Sequence, residues 1–202
     1  MELAEVLRRR RMVRRFDGTP LDPAVRDRVL AAAVRAPSAG FTQGWAFVVL
    51  EGAEQTERFW QAAGGDVALP GRWLDGMRKA PLLVLPLSSQ QAYLERYAEP
   101  DKGWTDRDPA RWPVPYWHVD AGMAALLMLL TAVDEGLGGC LFGIPADRVD
   151  AVRAELSVPA EWSPVGVVAV GHPEPGERSR PSRERTPLEA VLHRGRWQGA
   201  PR

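Results

Sequence analysis

Cysteine and histidine are scarce in this chain, and their scarcity excludes two kinds of site. The single cysteine, Cys140, cannot form an internal disulfide, so neither a disulfide framework nor an oxidising compartment is indicated. The three histidines, His118, His172 and His193, lie far apart and have no metal-ligand spacing with Cys140. The sequence therefore predicts no metal site.

Lysine is also scarce, although basic residues are not. Of 26 lysine and arginine residues only Lys79 and Lys102 are lysines, and 26 aspartate and glutamate residues bring the formal net charge to zero. A neutral chain is not expected to bind polyanions over its whole surface. Arginine, however, has a planar guanidinium that can bind a phosphate at two points. The arginine bias therefore favours a local anion site, although a GC-rich genome would produce the same bias.

Long apolar runs are missing as well. The longest, 121–133, has 13 residues and is bounded by Asp120 and Asp134, whereas roughly 20 are needed to span a bilayer. The N-terminus is rich in arginine and has no apolar stretch behind it, which is not the pattern of a secretory signal. We therefore expect a cytoplasmic protein that does not associate with membranes.

The length and composition predict one domain over residues 1–202, since the chain has 45% hydrophobic and 26% charged residues. Apolar periodicity and helix-boundary residues predict helices over 2–11, 23–36, 53–64, 73–79, 118–135 and 147–156. Strands are predicted over 45–50, 82–87 and 165–170. The capping-box spacing of Thr186 and Glu189 predicts a final helix. Because helices and strands alternate irregularly, we predict an α+β fold.

A cluster of arginines near the N-terminus is the strongest local feature. Six stand within eight residues: Arg8, Arg9, Arg10, Arg11, Arg14 and Arg15. If the first helix continued through them, Arg10, Arg11 and Arg14 would lie on or beside its apolar stripe, and the others would face solvent. An inward-leaning charge is costly unless a partner satisfies it, so this spacing predicts a buried anion. The alternative is a frayed helix end with solvated arginines.

A second arginine group precedes the last predicted helix. Its members are Arg178, Arg180, Arg183 and Arg185. If the two ends of the chain meet, both groups could hold one phosphate; the sequence spacing leaves open whether they do.

Residues 95–117 interrupt the regular pattern with prolines, glycine and large aromatic residues. The aromatic residues are Trp104, Trp112, Tyr116 and Trp117. The segment is too long for an ordinary connection and too aromatic for a flexible linker, which favours an ordered excursion over a site. The alternative is a loop that packs on the surface without a functional part.

Three segments together resemble the FMN-dependent nitroreductase family. The first is Arg-Arg-Met-Val-Arg-Arg-Phe-Asp at 10–17, followed by Ala-Pro-Ser-Ala-Gly-Phe-Thr-Gln-Gly-Trp at 36–45. The second is the glycine-rich stretch 135–143, and the third is Val-Ala-Val-Gly-His-Pro at 168–173 with Arg-Glu-Arg-Thr-Pro-Leu-Glu at 183–189. They span nearly the whole chain in the expected order. The sequence Gly-Phe-Thr-Gln at 40–43 resembles that of the subgroup that includes the flavin-cleaving enzyme of dimethylbenzimidazole synthesis.

The resemblance implies a mostly antiparallel central sheet flanked by helices, in an intertwined homodimer with two FMN sites at the subunit interface. Arginines from both ends of the chain would bind the FMN phosphate, residues of 37–43 would line the isoalloxazine ring, partly from the partner subunit, and the backbone at 142–143 would offer an N–H to the redox nitrogen. Matched residue by residue, the implied FMN contacts are Arg10, Arg11, Met12, Arg14, Pro37, Ser38, Ala39, Gln43, Phe142, Gly143, Arg183 and Arg185. Met12 stands where the family often has serine, so one phosphate hydrogen bond is expected to be missing.

The implied activity is centred on the flavin and requires no catalytic side chain. NAD(P)H would reduce FMN, and a flat or aromatic acceptor such as a nitroarene, a quinone or a specialised metabolite would then be reduced. The expected acceptor pocket consists of Phe41, Trp104, Trp112, Tyr116 and Trp117. Three alternatives stay open: oxygen-dependent flavin fragmentation or other specialised flavin chemistry, a flavin carrier without turnover, and a nucleic-acid-binding domain that uses the basic N-terminus. If the protein is a flavin enzyme, we expect no nucleic-acid partner.

Overall fold

The sheet at the centre of the fold is antiparallel throughout. A computed structural model describes residues 1–64, 71–177, 184–197 and 199. The described strands are β1 (Trp45–Glu51), β2 (Leu82–Ser88), β3 (Gly138–Phe142), β4 (Ser163–Pro164) and β5 (Val167–Gly171). Their order is β1-β2-β5-β3, and the short β4 pairs with β2. The prediction of a mostly antiparallel sheet is confirmed.

Helices flank this sheet. Those in the described residues are α1 (Leu3–Arg9), α2 (Pro23–Ala33), α3 (Gly52–Ala62), α4 (Gly71–Met77), α5 (Gln90–Ala98), α6 (Tyr116–Asp134) and α7 (Val149–Glu155). Four short 3-10 turns accompany them, at Ala39–Phe41, Pro109–Arg111, Ala146–Arg148 and Leu188–Ala190. The α+β fold predicted from the sequence is confirmed.

Strand β2 is buried along its whole length and separates two hydrophobic cores. Leu83 and Leu85 belong to the first core, which contains Trp60 of α3. Leu82 and Val84 belong to the second core, which α2 and α6 cover. Because successive side chains of a strand point to opposite faces, the sheet lies between two helical layers.

Helix α6 supplies the centre of the second core. Nine of its 19 residues are buried. Among the described helices it alone is long and apolar enough to cross a membrane, a property that core helices of soluble proteins share. One side is nevertheless exposed, at Tyr116, Val119 and Leu126. Helix α6 is therefore buried on one side and exposed on the other.

The N-terminal helix is shorter than predicted, which changes where the arginines point. Helix α1 ends at Arg9, and Arg10 has left the helical conformation, with φ −56° and ψ 124°. The chain then runs beside β3, where the Val13 N–H donates to a β3 carbonyl at 2.9 Å. This extended path buries Val13 in the first core. The prediction that a continued helix places Arg10, Arg11 and Arg14 on or beside its apolar stripe is therefore wrong.

The glycine-rich stretch 136–143 contains strand β3, which apolar periodicity does not predict. Glycine weakens a strand unless another group must approach closely. Here a Cβ on Gly138 would lie 2.8 Å from Val13 Cγ2, and one on Gly139 would lie 2.7 Å from Leu129 Cδ2. The glycines therefore allow the N-terminal segment and α6 to pack against β3.

Two further elements differ from the sequence interpretation. Helix α5 is not predicted, although Ser89 caps it by accepting from the Ala92 N–H at 3.2 Å. The predicted final helix is wrong, because only the 3-10 turn Leu188–Ala190 forms there. Pro187 occupies the position before that turn and makes no side-chain cap.

Gly76 of α4 packs directly against the segment 14–16, and we expect a side chain at this position to destabilise the fold. Its carbonyl accepts from the Phe16 N–H at 3.3 Å, and a Cβ there would overlap the Arg14 carbonyl oxygen and lie 2.9 Å from Arg15 Cγ. Gly76→Ala should lower the free energy of unfolding by about 1–3 kcal/mol, because an overpacked site has to shift. Urea denaturation measures this change.

The matched control is Gly71→Ala in the same helix, where no atom of the described residues lies within 4 Å of the added Cβ. Its unfolding free energy should equal or slightly exceed that of the wild type, since alanine favours the helix over glycine. Equal stabilities of the two variants would contradict the packing argument.

Candidate functional site

The two ends of the chain meet at one cavity of about 610 Å³. Arg8, Arg9, Arg10 and Arg11 line it from the end of α1, and Arg185 lines it from the C-terminal segment. The other lining residues are Val13, Val133, Gly136, Leu137, Gly138 and Pro173. The structure therefore brings members of both arginine groups together. Arg183 lies outside the described residues.

Some of the guanidinium charges around this arginine cavity are neutralised by acidic side chains and others are not. Glu5 accepts from Arg8 at 2.7 and 2.8 Å and also from Arg9. These hydrogen bonds lower the pKa of Glu5 to about 2. In the described part of the chain, no acidic side chain pairs with the half-buried Arg10 or with the exposed Arg11 and Arg185. Three guanidiniums without acidic partners around one cavity favour an anionic ligand.

Arg14 and Met12 are placed differently from the cavity-lining arginines. Arg14 is exposed, does not line the arginine cavity, and donates to the Met12 carbonyl at 3.3 Å. The Met12 sulfur accepts from the Leu141 N–H at 3.5 Å. Burial raises the pKa of the Cys140 thiol, and the charge of Arg14 opposes that shift. Arg14 and Met12 therefore face β3, and the structure does not bring Arg14 to the cavity.

The polar turn at 37–43 has an unusual backbone. Gly40, Phe41 and Gln43 have φ values of 61°, 54° and 53°, in the left-handed region that non-glycine residues rarely adopt. Such conformations occur where the surrounding structure enforces them, often at functional sites. The side chain of Phe41 is 74% exposed, so the turn presents an aromatic ring to its surroundings.

Hydrogen bonds hold this turn from within and from outside. Ser38 Oγ accepts from the Gln43 N–H at 3.0 Å, and Thr42 Oγ donates to the Ala39 carbonyl at 2.6 Å. The Ala39 N–H donates to the carboxylate of Asp120 in α6 at 2.8 Å. Pro37 precedes these contacts and is exposed.

The four aromatic residues singled out in 95–117 form one cluster. Trp112 is its centre, with ring centroids at 5.5 Å from Trp104, 5.9 Å from Tyr116 and 6.1 Å from Trp117. Trp117 is buried, Trp104 and Trp112 are half-buried, and Tyr116 is partly exposed. The cluster packs on α5, where the Tyr97 ring lies 4.5 Å from Trp112. Among the described residues, the Phe41 ring forms no ring–ring interaction with this cluster.

Phe142 and Gly143 end strand β3 away from the arginine cavity, whose lining does not include them. The Phe142 ring stacks on Trp60 at 5.4 Å, with 7° between the planes, so the side chain belongs to the first core. Gly143 is exposed.

His118 and His193 each contact a neighbouring side chain. His118 Nδ1 lies 2.8 Å from Ser88 Oγ, and burial lowers the pKa of His118. The His193 ring lies against Trp197 at 4.0 Å. Within the ranges that the structure describes, no group of three or more histidine, cysteine, aspartate or glutamate residues could hold a metal ion.

Sequence reasoning missed the polar residues behind the turn, Asp120, Tyr93 and Arg96. Arg96 Nε donates to the Gly40 carbonyl at 3.0 Å, and the Tyr93 hydroxyl donates to Asp120 at 2.7 Å. A signal was present for Asp120, since it is the one acidic or basic residue, histidine aside, in a mostly apolar helix before Asp134. Its partners could not be inferred from that signal.

Known proteins share this sequence pattern. The model of the nitroreductase family matches residues 7–172. A protein of Methanothermobacter thermautotrophicus named "Putative NADH dehydrogenase/NAD(P)H nitroreductase" is 26% identical over 94% of this chain and 87% of its own length. The 5,6-dimethylbenzimidazole synthase of Rhodobacter capsulatus is 30% identical over 97% of this chain and 90% of its own length.

Solved structures share the fold. The nitroreductase family protein of Streptococcus pneumoniae matches with a TM-score of 0.73 at 19% identity, over 95% of this chain and 99% of its own. A nitroreductase family protein of Clostridium difficile matches with a TM-score of 0.71 at 19% identity, over 98% of this chain and 100% of its own. The chain belongs to the nitroreductase family, and the resemblance stated from its motifs is confirmed.

Proposed function

We propose that this protein is an FMN-dependent oxidoreductase that passes hydride from NAD(P)H to a flat or aromatic acceptor. The observation that carries the proposal is the arginine cavity, where Arg10, Arg11 and Arg185 surround about 610 Å³. A relative named as an NAD(P)H nitroreductase supports the choice of reductant. The family membership supports the choice of reaction.

The arginine cavity fits a phosphate monoester such as the one that ends FMN. Planar guanidiniums bind phosphate oxygens in pairs, with charge-assisted hydrogen bonds. Gly136 and Gly138 line the cavity beside them and take up little space. The proposed phosphate ligands are Arg10, Arg11 and Arg185, with Arg183 added two residues before Arg185. Arg14 and Met12 have less support, because Arg14 does not line the cavity and the Met12 sulfur already accepts a hydrogen bond.

The remaining FMN contacts of the proposal lie outside the arginine cavity. Pro37, Ser38, Ala39 and Gln43 are assigned to the wall of the flavin ring, contributed at least partly by the partner subunit. The backbone at Phe142–Gly143 is assigned an N–H donor to the ring. When bound, FMN supplies the hydride chemistry, and the protein supplies binding, orientation and electrostatics.

A homodimer is part of the proposal because α6 has an uncovered apolar side. Leu126 is 45% exposed, and Tyr116 and Val119 lie on the same side of the helix. Large apolar side chains of the C-terminal segment are exposed as well: Leu188, Val191, Leu192 and Trp197. An α6 face in one copy and an apolar arm from another would cover each other. Residues 1–202 are proposed to form one cytoplasmic domain in each subunit.

The acceptor pocket is assigned to the aromatic side chains near the turn. Tyr116 and Trp104 offer partly exposed rings at the edge of the aromatic cluster, while Trp112 and Trp117 support them. Phe41 projects from the turn and would reach the pocket of a neighbouring subunit. Aromatic rings favour flat partners through offset stacking, hence a nitroarene, a quinone or a flat specialised metabolite.

The purified protein is expected to show a visible flavin absorption band. Anaerobic addition of NADH or NADPH should bleach this band, and a quinone or a nitroarene should restore it. A protein that stays colourless after incubation with FMN would contradict the flavin assignment. A yellow protein that neither nicotinamide bleaches would instead be a flavin-binding protein without turnover.

Oxygen-dependent flavin fragmentation is the second candidate. The 30% identity to a 5,6-dimethylbenzimidazole synthase favours it, as does the Gly-Phe-Thr-Gln sequence at 40–43. Anaerobic photoreduction of the bound flavin followed by air separates the two functions. Stoichiometric recovery of intact FMN would exclude fragmentation.

A further inference from the structure

A carboxylate is buried behind the 37–43 turn without a cationic partner. Asp120 is 1% exposed, and within the described residues it forms no ion pair with an arginine or a lysine. Burying a carboxylate is costly unless its lone pairs are satisfied. The two donors to Asp120 are both neutral, namely the Ala39 N–H at 2.8 Å and the Tyr93 hydroxyl at 2.7 Å. Both reach the same oxygen, Oδ2.

The second donor fixes the carboxylate in place. Tyr93 of α5 is fully buried, and burial together with the Asp120 carboxylate raises the pKa of its hydroxyl. The hydroxyl therefore remains protonated and donates to Asp120. Through this chain of hydrogen bonds, helices α5 and α6 jointly hold the peptide N–H of Ala39.

A second peptide of the turn, between Gly40 and Phe41, is held from helix α5. Arg96 lies one turn after Tyr93 on α5 and donates through Nε to the Gly40 carbonyl at 3.0 Å. The remaining guanidinium nitrogens of Arg96 bind Asp101 at 2.7 and 2.8 Å. The Tyr97 ring leaves no room for a side chain at Gly40, where a Cβ would lie 2.7 Å from Tyr97 Cε2.

The left-handed residues of the turn explain why such support is needed. Phe41 and Gln43 adopt backbone angles that cost free energy unless the surroundings enforce them. Without its hold on Ala39, the turn could relax to commoner angles and move the side chains of Pro37 and Ser38.

We propose that Asp120 and Tyr93 are positioning residues that fix the 37–43 turn in the shape that receives the flavin ring. The inference rests on the proposed function, since the turn is assigned there to the ring wall. Asp120 and Tyr93 act through the turn and have no part in binding the phosphate.

The test compares the affinities of flavin-free protein for FMN and for riboflavin, by fluorescence titration well below the melting temperature. Asp120→Ala leaves the Ala39 N–H and the Tyr93 hydroxyl buried without an acceptor. It should weaken both ligands by the same factor, about 10-fold to 100-fold, because both contain the ring. An unchanged affinity for both ligands would overturn the inference.

Asp120→Asn keeps the shape and can keep both contacts, since its amide oxygen in the place of Oδ2 can accept from the Ala39 N–H and from the Tyr93 hydroxyl. It should bind both flavins within about threefold of the wild type. A loss equal to that of the alanine variant would overturn the positioning role. Tyr93→Phe removes one donor and should weaken both flavins by about 3-fold to 10-fold. If Asp120→Ala fails to fold, Tyr93→Phe still decides the matter, because wild-type affinities for both flavins would overturn the inference.

The matched control is Asp150→Ala on α7, where the carboxylate is almost fully exposed. It should change neither affinity. A purely structural role for Asp120 would lower the melting temperature and leave both flavin affinities unchanged. If the wild type itself binds no flavin, the proposed function fails; if the wild type binds flavin and the Asp120→Ala and Tyr93→Phe variants bind it equally well, only this inference fails.

Discussion

Replacing Arg10 with glutamate should weaken FMN binding by roughly 100-fold or more, since charge-assisted hydrogen bonds contribute about 1.5–3 kcal/mol and charge reversal adds repulsion. Arg10 is half-buried and lines the cavity shared by the two ends of the chain. In the described residues no carboxylate neutralises it, so its charge is available to a phosphate. Riboflavin, which has no phosphate, should bind to Arg10→Glu within about threefold of the wild-type affinity.

Titration of both flavins into the flavin-free variant measures this effect. Arg107→Glu is the matched control, because Arg107 is exposed and does not line the arginine cavity. It changes the net charge by the same amount and should leave both affinities unchanged. Equal losses of FMN and riboflavin in Arg10→Glu would show that Arg10 supports the fold of the site and does not bind the phosphate.

Replacing Leu126 with glutamate should convert the proposed dimer into monomers. Leu126 lies on the uncovered side of α6 and is 45% exposed in the single chain. A partner subunit would bury it, and an unpaired carboxylate in an apolar interface costs several kcal/mol. Because the ring wall comes from the partner in the proposed arrangement, the monomer should also lose its flavin.

Light scattering during gel filtration, with absorbance recorded at the flavin band, measures both effects at once. The control is Ala151→Glu on α7, since Ala151 is exposed and α7 packs on the first core, across the sheet from α6. It should remain dimeric and yellow. A wild type that elutes as a monomer, or a Leu126→Glu dimer with full flavin content, would contradict the proposed assembly.

The sequence predicts the fold where local pattern and tertiary packing agree. The buried run of β2 and the apolar helix α6 are examples, since each was recognisable from its own residues. The prediction fails where a distant segment decides the conformation. Arg10 leaves the helix because the next residues pair with β3, more than 120 residues away. Glycines in β3 suggest a loop until the close approach of Val13 and Leu129 is known.

In the candidate site, too, the sequence predicts local features but not the contacts between distant segments. The arginine clusters were visible in the sequence, but the meeting of Arg185 with the N-terminal group depends on tertiary structure. The helical argument for Arg14 was wrong, because its premise, a longer helix α1, does not hold. Asp120 was visible only as a charge in an apolar helix, since its contact with Ala39 spans 81 positions.

We propose above all that the arginine cavity binds the phosphate of FMN. Calorimetric titration of flavin-free wild-type protein with FMN and, separately, with riboflavin tests it most directly. We expect one FMN per subunit and an affinity for riboflavin that is weaker by roughly 100-fold or more, which corresponds to the loss of the phosphate contacts. Equal affinities for FMN and riboflavin, or no binding of FMN, would contradict it.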